Sequence, residues 1–192
     1  MERCFGDGDP SYEAYHDNEW GRPVADEAGL FERLALEGFQ SGLSWLTILR
    51  KRDAFREVFA GFDPEVVARY DDGDVARLMT DARIVRNRAK IRATIAGARA
   101  TLALHDAGYS LAALLARHAP CPQPASPVTW EEVPTVTPES RALAAELKGL
   151  GFRFIGPTTA YATMQAVGVV NDHLAGCPSR ERSDPVSPSR RP

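Results

Sequence analysis

Cysteine is scarce in this sequence: three in 192 residues, at positions 4, 121 and 177. That is too few, and too widely spaced, for a disulfide framework, so reduced thiols and a cytoplasmic protein are expected. Long apolar runs are also missing. No stretch approaches the roughly 20 residues that span a bilayer, because Arg, Lys or Glu interrupts the most apolar segments. Met1-Glu2-Arg3-Cys4 lacks the apolar core of a secretory signal. Nor is there a large excess of charge: the formal net charge is −3, which argues against coating nucleic acid through bulk charge but leaves local basic patches open. Internal repeats are absent, and β-branched alternation surfaces only around Val133 to Val136. What remains, 44% hydrophobic and 26% charged, is the make-up of an ordinary soluble globular protein. The length suits one domain with a real core.

The apolar spacing is helical almost throughout, so the predicted fold class is all-α. Asp26 caps a helix with Leu30, Phe31, Leu34 and Ala35 inward. Gly38 and Gly42 bracket a break before Leu43-Ser44-Trp45-Leu46, and Leu46, Leu49, Phe55, Val58 and Phe59 carry the period on to Gly61. Pro64 opens a short helix to Tyr70, another holds Val75, Leu78 and Met79, and a longer one starts at about Asp81 with Ile84, Ile91, Ile95 and Ala98 inward. Leu111 to Leu115 form the next. Five prolines make Pro120 to Pro134 a loop, and the Pro-, Ser- and Arg-rich residues 179–192 read as a disordered tail, leaving 1–178 as a single helical domain.

Thr137-Pro138-Glu139 is a strong helix start, and that helix ends at Gly149 to Gly151. Phe152 to Gly156 then makes a tight turn before Pro157-Thr158-Thr159-Ala160 begins another apolar helix, a helix pair covering about 139–168. Free N–H groups at such a helix start bind phosphate oxygens; a plain connection with glycines for close packing fits the same spacing. His173 and Cys177 lie one helical turn apart and can reach one ion, and Cys4 and His16 can complete a tetrahedral set, although scattered Cys and His are usually only residues. Arg83, Arg86, Arg88, Lys90, Arg92 and Arg99 make the 81–99 stretch strongly basic, either a solvated helix face or a DNA-facing one. His105, His118 and Cys121 suggest no partners.

Gly151-Phe-Arg-Phe-Ile-Gly156-Pro-Thr-Thr-Ala160 resembles the hairpin of the helix-hairpin-helix DNA glycosylases. Met1-Glu-Arg-Cys4, Tyr15-His-Asp-Asn-Glu-Trp-Gly21, Glu37-Gly-Phe-Gln-Ser-Gly-Leu-Ser-Trp45 and Val170-Asn-Asp-His173 narrow the resemblance to the bacterial DNA-3-methyladenine glycosylase I family, from Met1 to about Cys177. Departures are local: the segment after Cys4 is a residue shorter than is usual there, Phe5 stands where the family often has tryptophan, and Arg83 and Ala89 stand where glycines are expected.

The resemblance implies a monofunctional enzyme that flips 3-methyladenine out of alkylated double-stranded DNA and hydrolyses its glycosidic bond without cutting the strand. Glu37 is then the principal catalytic residue, and Tyr12, Tyr15, Glu37 and Trp45 form the base pocket, with aromatic faces suited to a cationic purine. Leu43 is the wedge that fills the vacated stack, and Gly151, Phe154, Gly156 and Thr158 belong to the phosphate clamp. Asp172 stands near the place where related glycosylases stabilise the sugar, but selective base binding is expected to carry most of the catalysis. Cys4, His16, His173 and Cys177 would hold a structural zinc that joins the two ends of the domain, since four protein ligands leave no open position. A monomer acting on DNA, with no membrane or protein partner, follows. Read without the resemblance, Leu43 and Trp45 fit the core and Glu37 a solvated helix face. The competing readings are a non-catalytic helix-hairpin-helix DNA-binding module with a zinc staple and a helical protein-interaction domain.

Overall fold

The computed structural model describes residues 3–6, 8–24 and 26–181. They form ten α-helices: α1 Pro10–Asn18, α2 Glu27–Gln40, α3 Trp45–Leu49, α4 Arg52–Val58, α5 Pro64–Val67, α6 Asp72–Thr80, α7 Arg88–Asp106, α8 Leu111–Arg117, α9 Pro138–Leu150 and α10 Pro157–Ala166. Two 3₁₀ turns, Ala60–Phe62 and Trp130–Glu132, complete the set, and no strand occurs among the described residues.

The helix at the centre is α2, which packs against α7, α8, α10 and α3. Asp26 starts it by accepting from the Gly29 N–H at 2.7 Å, and Leu30, Phe31, Leu34, Leu36 and Phe39 are buried along it. Its far end is held by Lys90 of α7, whose buried ammonium donates to the carbonyls of Phe39 at 2.9 Å and Ser41 at 2.6 Å. A cation on the last carbonyls satisfies acceptors that a helix end leaves open. Gly38 lies inside α2, so the break is confined to 41–44, where Gly42 takes φ +81°.

The α9–α10 pair behaves as its residues dictate. Thr137 and Ser140 form a reciprocal capping box at the start of α9, with Pro138 in its first turn. Gly151 closes the helix at φ +107°, with the Phe152 N–H returning to the Leu147 carbonyl at 3.0 Å. Gly168, at φ +73°, ends α10, and a Cβ there would lie 2.7 Å from the Gly21 carbonyl oxygen. That close approach tucks the C-terminal segment beneath the residues following α1.

Several expectations change. The 81–99 stretch is not one helix: Asp81 accepts from the Arg83 N–H at 2.9 Å, and Asn87 caps a fresh start at Arg88. Its cations are largely spoken for, because Arg83 pairs with Asp81 and Glu57, Arg92 with Asp72, and Arg99 donates to the Ala68 and Tyr70 carbonyls. The helix opened by Pro64 stops at Val67, and Arg50 and Lys51 separate α3 from α4. His105 and His118 do have partners, Glu27 at 2.7 Å and Glu146 at 2.6 Å. The order also runs past 178: Ser179 is buried, and Arg180 donates to the Asn171 and His173 carbonyls. The rest of the expected tail, 182–192, lies outside the described residues.

Candidate active site and metal centre

Three charged side chains of α2 are buried, Glu32, Arg33 and Glu37. Buried charge is tolerated when it is paired. Glu32 meets Arg56 through two hydrogen bonds at 2.8 and 2.9 Å. Arg33 meets Glu19 at 2.6 Å, and Arg52 reaches the same carboxylate at 2.6 and 2.8 Å. Burial works against the charge on Glu19, yet the hydrogen bonds from Arg52 and Arg33 hold its carboxyl down at about 2. Glu37 is 5% exposed, and none of the described hydrogen bonds reaches its carboxyl. Burial therefore pushes it up to about 8, against a smaller pull from the Arg33 charge.

Glu37 lines a cavity of about 420 Å³ with Tyr12, Tyr15 and Trp45. The Tyr15 and Trp45 rings lie 5.1 Å apart at 44°, and the Arg33 guanidinium sits 5.5 Å over the Tyr15 ring. Burial, with Glu37 nearby, raises Tyr12 and Tyr15 above the usual phenol range, so both hydroxyls stay neutral. The Trp45 Nε1–H is buried with no acceptor among the described residues. An acid without a donor and an indole N–H without an acceptor thus line one aromatic cavity. A cationic aromatic guest with hydrogen-bonding edges suits such a space.

A second hollow of about 300 Å³ adjoins it, sharing Glu37, Gln40 and Ala162, and is lined further by Leu43 and Thr158. Leu43 is 41% exposed on the loop after α2, so it is not a core residue. Gly151, Phe154 and Gly156 sit outside both hollows, in the α9–α10 turn; Phe154 is exposed at φ +60°, and a Cβ on Gly156 would meet nothing within 4 Å. Asp172 is set back from the cavity. Its Oδ2 accepts from the Tyr161 hydroxyl at 2.6 Å and from the Gln165 amide at 2.8 Å, and Gln165, not Asp172, lines the wall. Phe5, Trp20, Gln40, Trp130 and Gln165 also line the cavity; Trp20 and Gln40 fall within the motifs that carry the resemblance and Phe5 beside one, whereas Trp130 and Gln165 carry no sequence signal.

Beside this cavity, Cys4, His16, His173 and Cys177 bring their ligand atoms within 4.8 Å of one another. The sulfur to nitrogen distances are 3.5 Å for Cys4 to His173, 3.5 Å for Cys177 to His16 and 3.6 Å for Cys177 to His173. A tetrahedral ion with ordinary metal–sulfur and metal–nitrogen bonds needs roughly 3.5 Å between such donors. The outer ring nitrogens agree. His16 Nδ1 lies 2.8 Å from the Asp17 carboxylate, and His173 Nε2 lies 3.2 Å from the Trp20 carbonyl. These partners accept, so each imidazole carries its proton outward and turns a lone pair inward. The four residues can therefore hold a metal ion.

The comparisons bear on the whole chain. A family model described as methyladenine glycosylase matches residues 5–181. The chain belongs to the methyladenine glycosylase family. Among relatives in that family, DNA-3-methyladenine glycosylase 1 of Escherichia coli is 48% identical over 181 residues, 92% of this chain and 96% of the relative. DNA-3-methyladenine glycosylase of Haemophilus influenzae is 42% identical over 182 residues, 93% of this chain and 97% of the relative. The solved 3-methyladenine DNA glycosylase I of Staphylococcus aureus, a structure on 3-methyladenine recognition, superposes with a TM-score of 0.88 at 39% identity, covering 92% of this chain and 95% of that one. The all-helical architecture is thus that of the methyladenine glycosylase family.

Proposed function

We propose that this chain is a DNA base-excision glycosylase that flips 3-methyladenine out of alkylated duplex DNA and hydrolyses its N-glycosidic bond, without strand cleavage. The observation that carries the reading is Glu37, a buried carboxyl with no protein donor in a cavity walled by Tyr12, Tyr15 and Trp45. In DNA, a purine methylated at N3 is cationic and unmodified adenine is not. Entry of the cation gives Glu37 the opposite charge it lacks and favours its ionised form, while the rings stack on the base. A normal base leaves the carboxyl unpaired in an apolar site, which is the source of selectivity. The cationic purine departs as a neutral molecule, so the bond is already weak and water completes the hydrolysis.

No lysine lines the cavity. Lys51 donates to the Ala82 and Arg83 carbonyls, and Lys90 holds the end of α2. That supports a hydrolase with no amine nucleophile, and hence no strand cleavage. We assign the α9–α10 pair as a helix-hairpin-helix whose turn, Gly151, Phe154 and Gly156 with Thr158 in the next helix, clamps backbone phosphates. Leu43, exposed in the hollow that joins this helix to Glu37, is the wedge. Cys4, His16, His173 and Cys177 are assigned a structural Zn²⁺, which would tie the segment before α1 to the segment after α10 in one helical domain. A monomer in the cytoplasm fits this activity.

The test is release of free bases from methylated duplex DNA, resolved by chromatography, for the wild type beside Glu37→Gln. Release of 3-methyladenine with 7-methylguanine left behind, reduced about 100-fold in the variant while general DNA binding persists, is the expected outcome. Duplex binding with no release by the wild type would leave a non-catalytic DNA-binding module in its place.

A further inference from the structure

One wall of the cavity has no part in the function as stated so far. Trp130 lines it from the long loop between α8 and α9 and is 46% exposed, whereas Trp20 and Trp45 are 6% and 7% exposed. It is not a loose side chain. Its ring lies 5.8 Å from Phe5 at 68° and 6.3 Å from Trp20 at 46°. The turn beneath it is pinned where the Val128 N–H donates to the Glu132 carboxylate at 2.7 Å, and the Ala175 N–H fastens the loop through the Pro127 carbonyl at 2.8 Å. The chain therefore fixes a large aromatic surface at the mouth of an aromatic cavity and leaves much of it open to water. Core packing does not account for that, since an indole of this kind becomes covered only when something occupies the mouth.

We propose that Trp130 is a second recognition surface for the flipped base, covering the cationic 3-alkylpurine from the loop between α8 and α9. The inference rests on the glycosylase reading. Stacking on an indole strengthens when the guest carries positive charge, so the residue adds to the discrimination against neutral purines that Glu37 begins. It makes no proton transfer, so its contribution lies in holding the base, not in the bond-breaking step.

Trp130→Ala and Trp130→Phe are compared with the wild type in three measurements: steady-state release of 3-methyladenine from methylated duplex, inhibition by free 3-methyladenine, and bound metal, because Phe5 adjoins Cys4. The expected result for the alanine variant is a KM raised about tenfold and a smaller rise in the inhibition constant, since the free base is neutral, with kcat and metal content unchanged. Phenylalanine should restore most of the loss. A wild-type KM for methylated duplex in Trp130→Ala would overturn the proposal. Loss of metal in the alanine variant would also overturn it, assigning the ring to packing beside Cys4. A wild type that releases no base would instead strike the glycosylase reading itself, a failure separable from the other two.

Discussion

Around α1 the chain builds two buried polar sites side by side, His16 facing the four-donor cluster and Tyr15 facing the aromatic cavity, and it treats their polar atoms in opposite ways. In the cluster each imidazole has an acceptor on its outer nitrogen, and Cys4 accepts from the Leu174 N–H at 3.2 Å. In the cavity the Glu37 carboxyl and the Trp45 Nε1–H have no hydrogen-bond partner among the described residues. Leaving a buried donor or acceptor unmade costs about 1–3 kcal/mol. A fold that gives the outer atoms of one site their partners and leaves an acid and an indole open in the next has not run short of partners: Arg56 serves Glu32, and Arg33 and Arg52 serve Glu19. The closed site suits a resident that never leaves, and the open site suits a guest that comes and goes.

The comparison breaks most visibly on the closed side. Cys177→Ala removes one of four donors, so the metal proposed there should be lost and with it the tie between the segments flanking α1 and α10. A loss of about 3 kcal/mol, or roughly 10 °C in Tm for a chain of this length, is expected. Calorimetry with and without a strong chelator checks it. The wild type should fall toward the variant on chelation, and the variant should not respond.

On the open side the effect is smaller and has a direction set by pH. Glu37 sits at about 8 in the folded protein, against 4.5 ordinarily. Between these values the unfolded chain has lost the proton and the folded chain keeps it, so unfolding releases a proton and stability falls as pH rises through the window. Above the upper value the loss levels off. Glu37→Gln cannot ionise and should escape this slope, gaining on the order of 1 kcal/mol relative to wild type at pH 9 and little near pH 4. Denaturant titrations at the two pH values measure the difference. Equal slopes in both proteins would mean that Glu37 is paired in solution. Activity should run the other way, rising toward pH 8 as the ionised form becomes available to a cationic base.

Much of this architecture is local chemistry and can be read along the chain. Asp26, Thr137 with Pro138, and Gly151 mark helix boundaries through caps that need only their neighbours. The four donors of the cluster and the four residues assigned to the pocket are brought together in the sequence only by the family resemblance. Other features depend on distant partners. The run of Arg and Lys after Asp81 looks like one basic helix until Glu57 and Asp72 are known to face it, and Asn87 is then seen to cap the real start. That Glu37 lacks a hydrogen-bonding cation is visible only once Arg33 and Arg56 are seen to pair with Glu19 and Glu32. Trp130 sits in a proline-rich loop with no periodicity, and only the fold brings it beside Phe5.

The finest test reaches behind the closed site without touching a ligand. Asp17 accepts from His16 Nδ1 at 2.8 Å and is itself held by Arg3, which keeps its carboxyl down at about 2. A carboxylate there fixes the imidazole tautomer and strengthens the nitrogen that faces Cys177. Asp17→Asn keeps the shape but removes the charge, so metal affinity should fall by about 10-fold to 100-fold in competition with a chelator. Saturating metal should restore the wild-type melting temperature. Because Asp17 does not line the cavity, the inhibition constant for free 3-methyladenine should stay at the wild-type value in the metal-saturated variant. A change in that constant would mean that the two sites are coupled through α1, and that the closed site does more than hold the ends of the domain together.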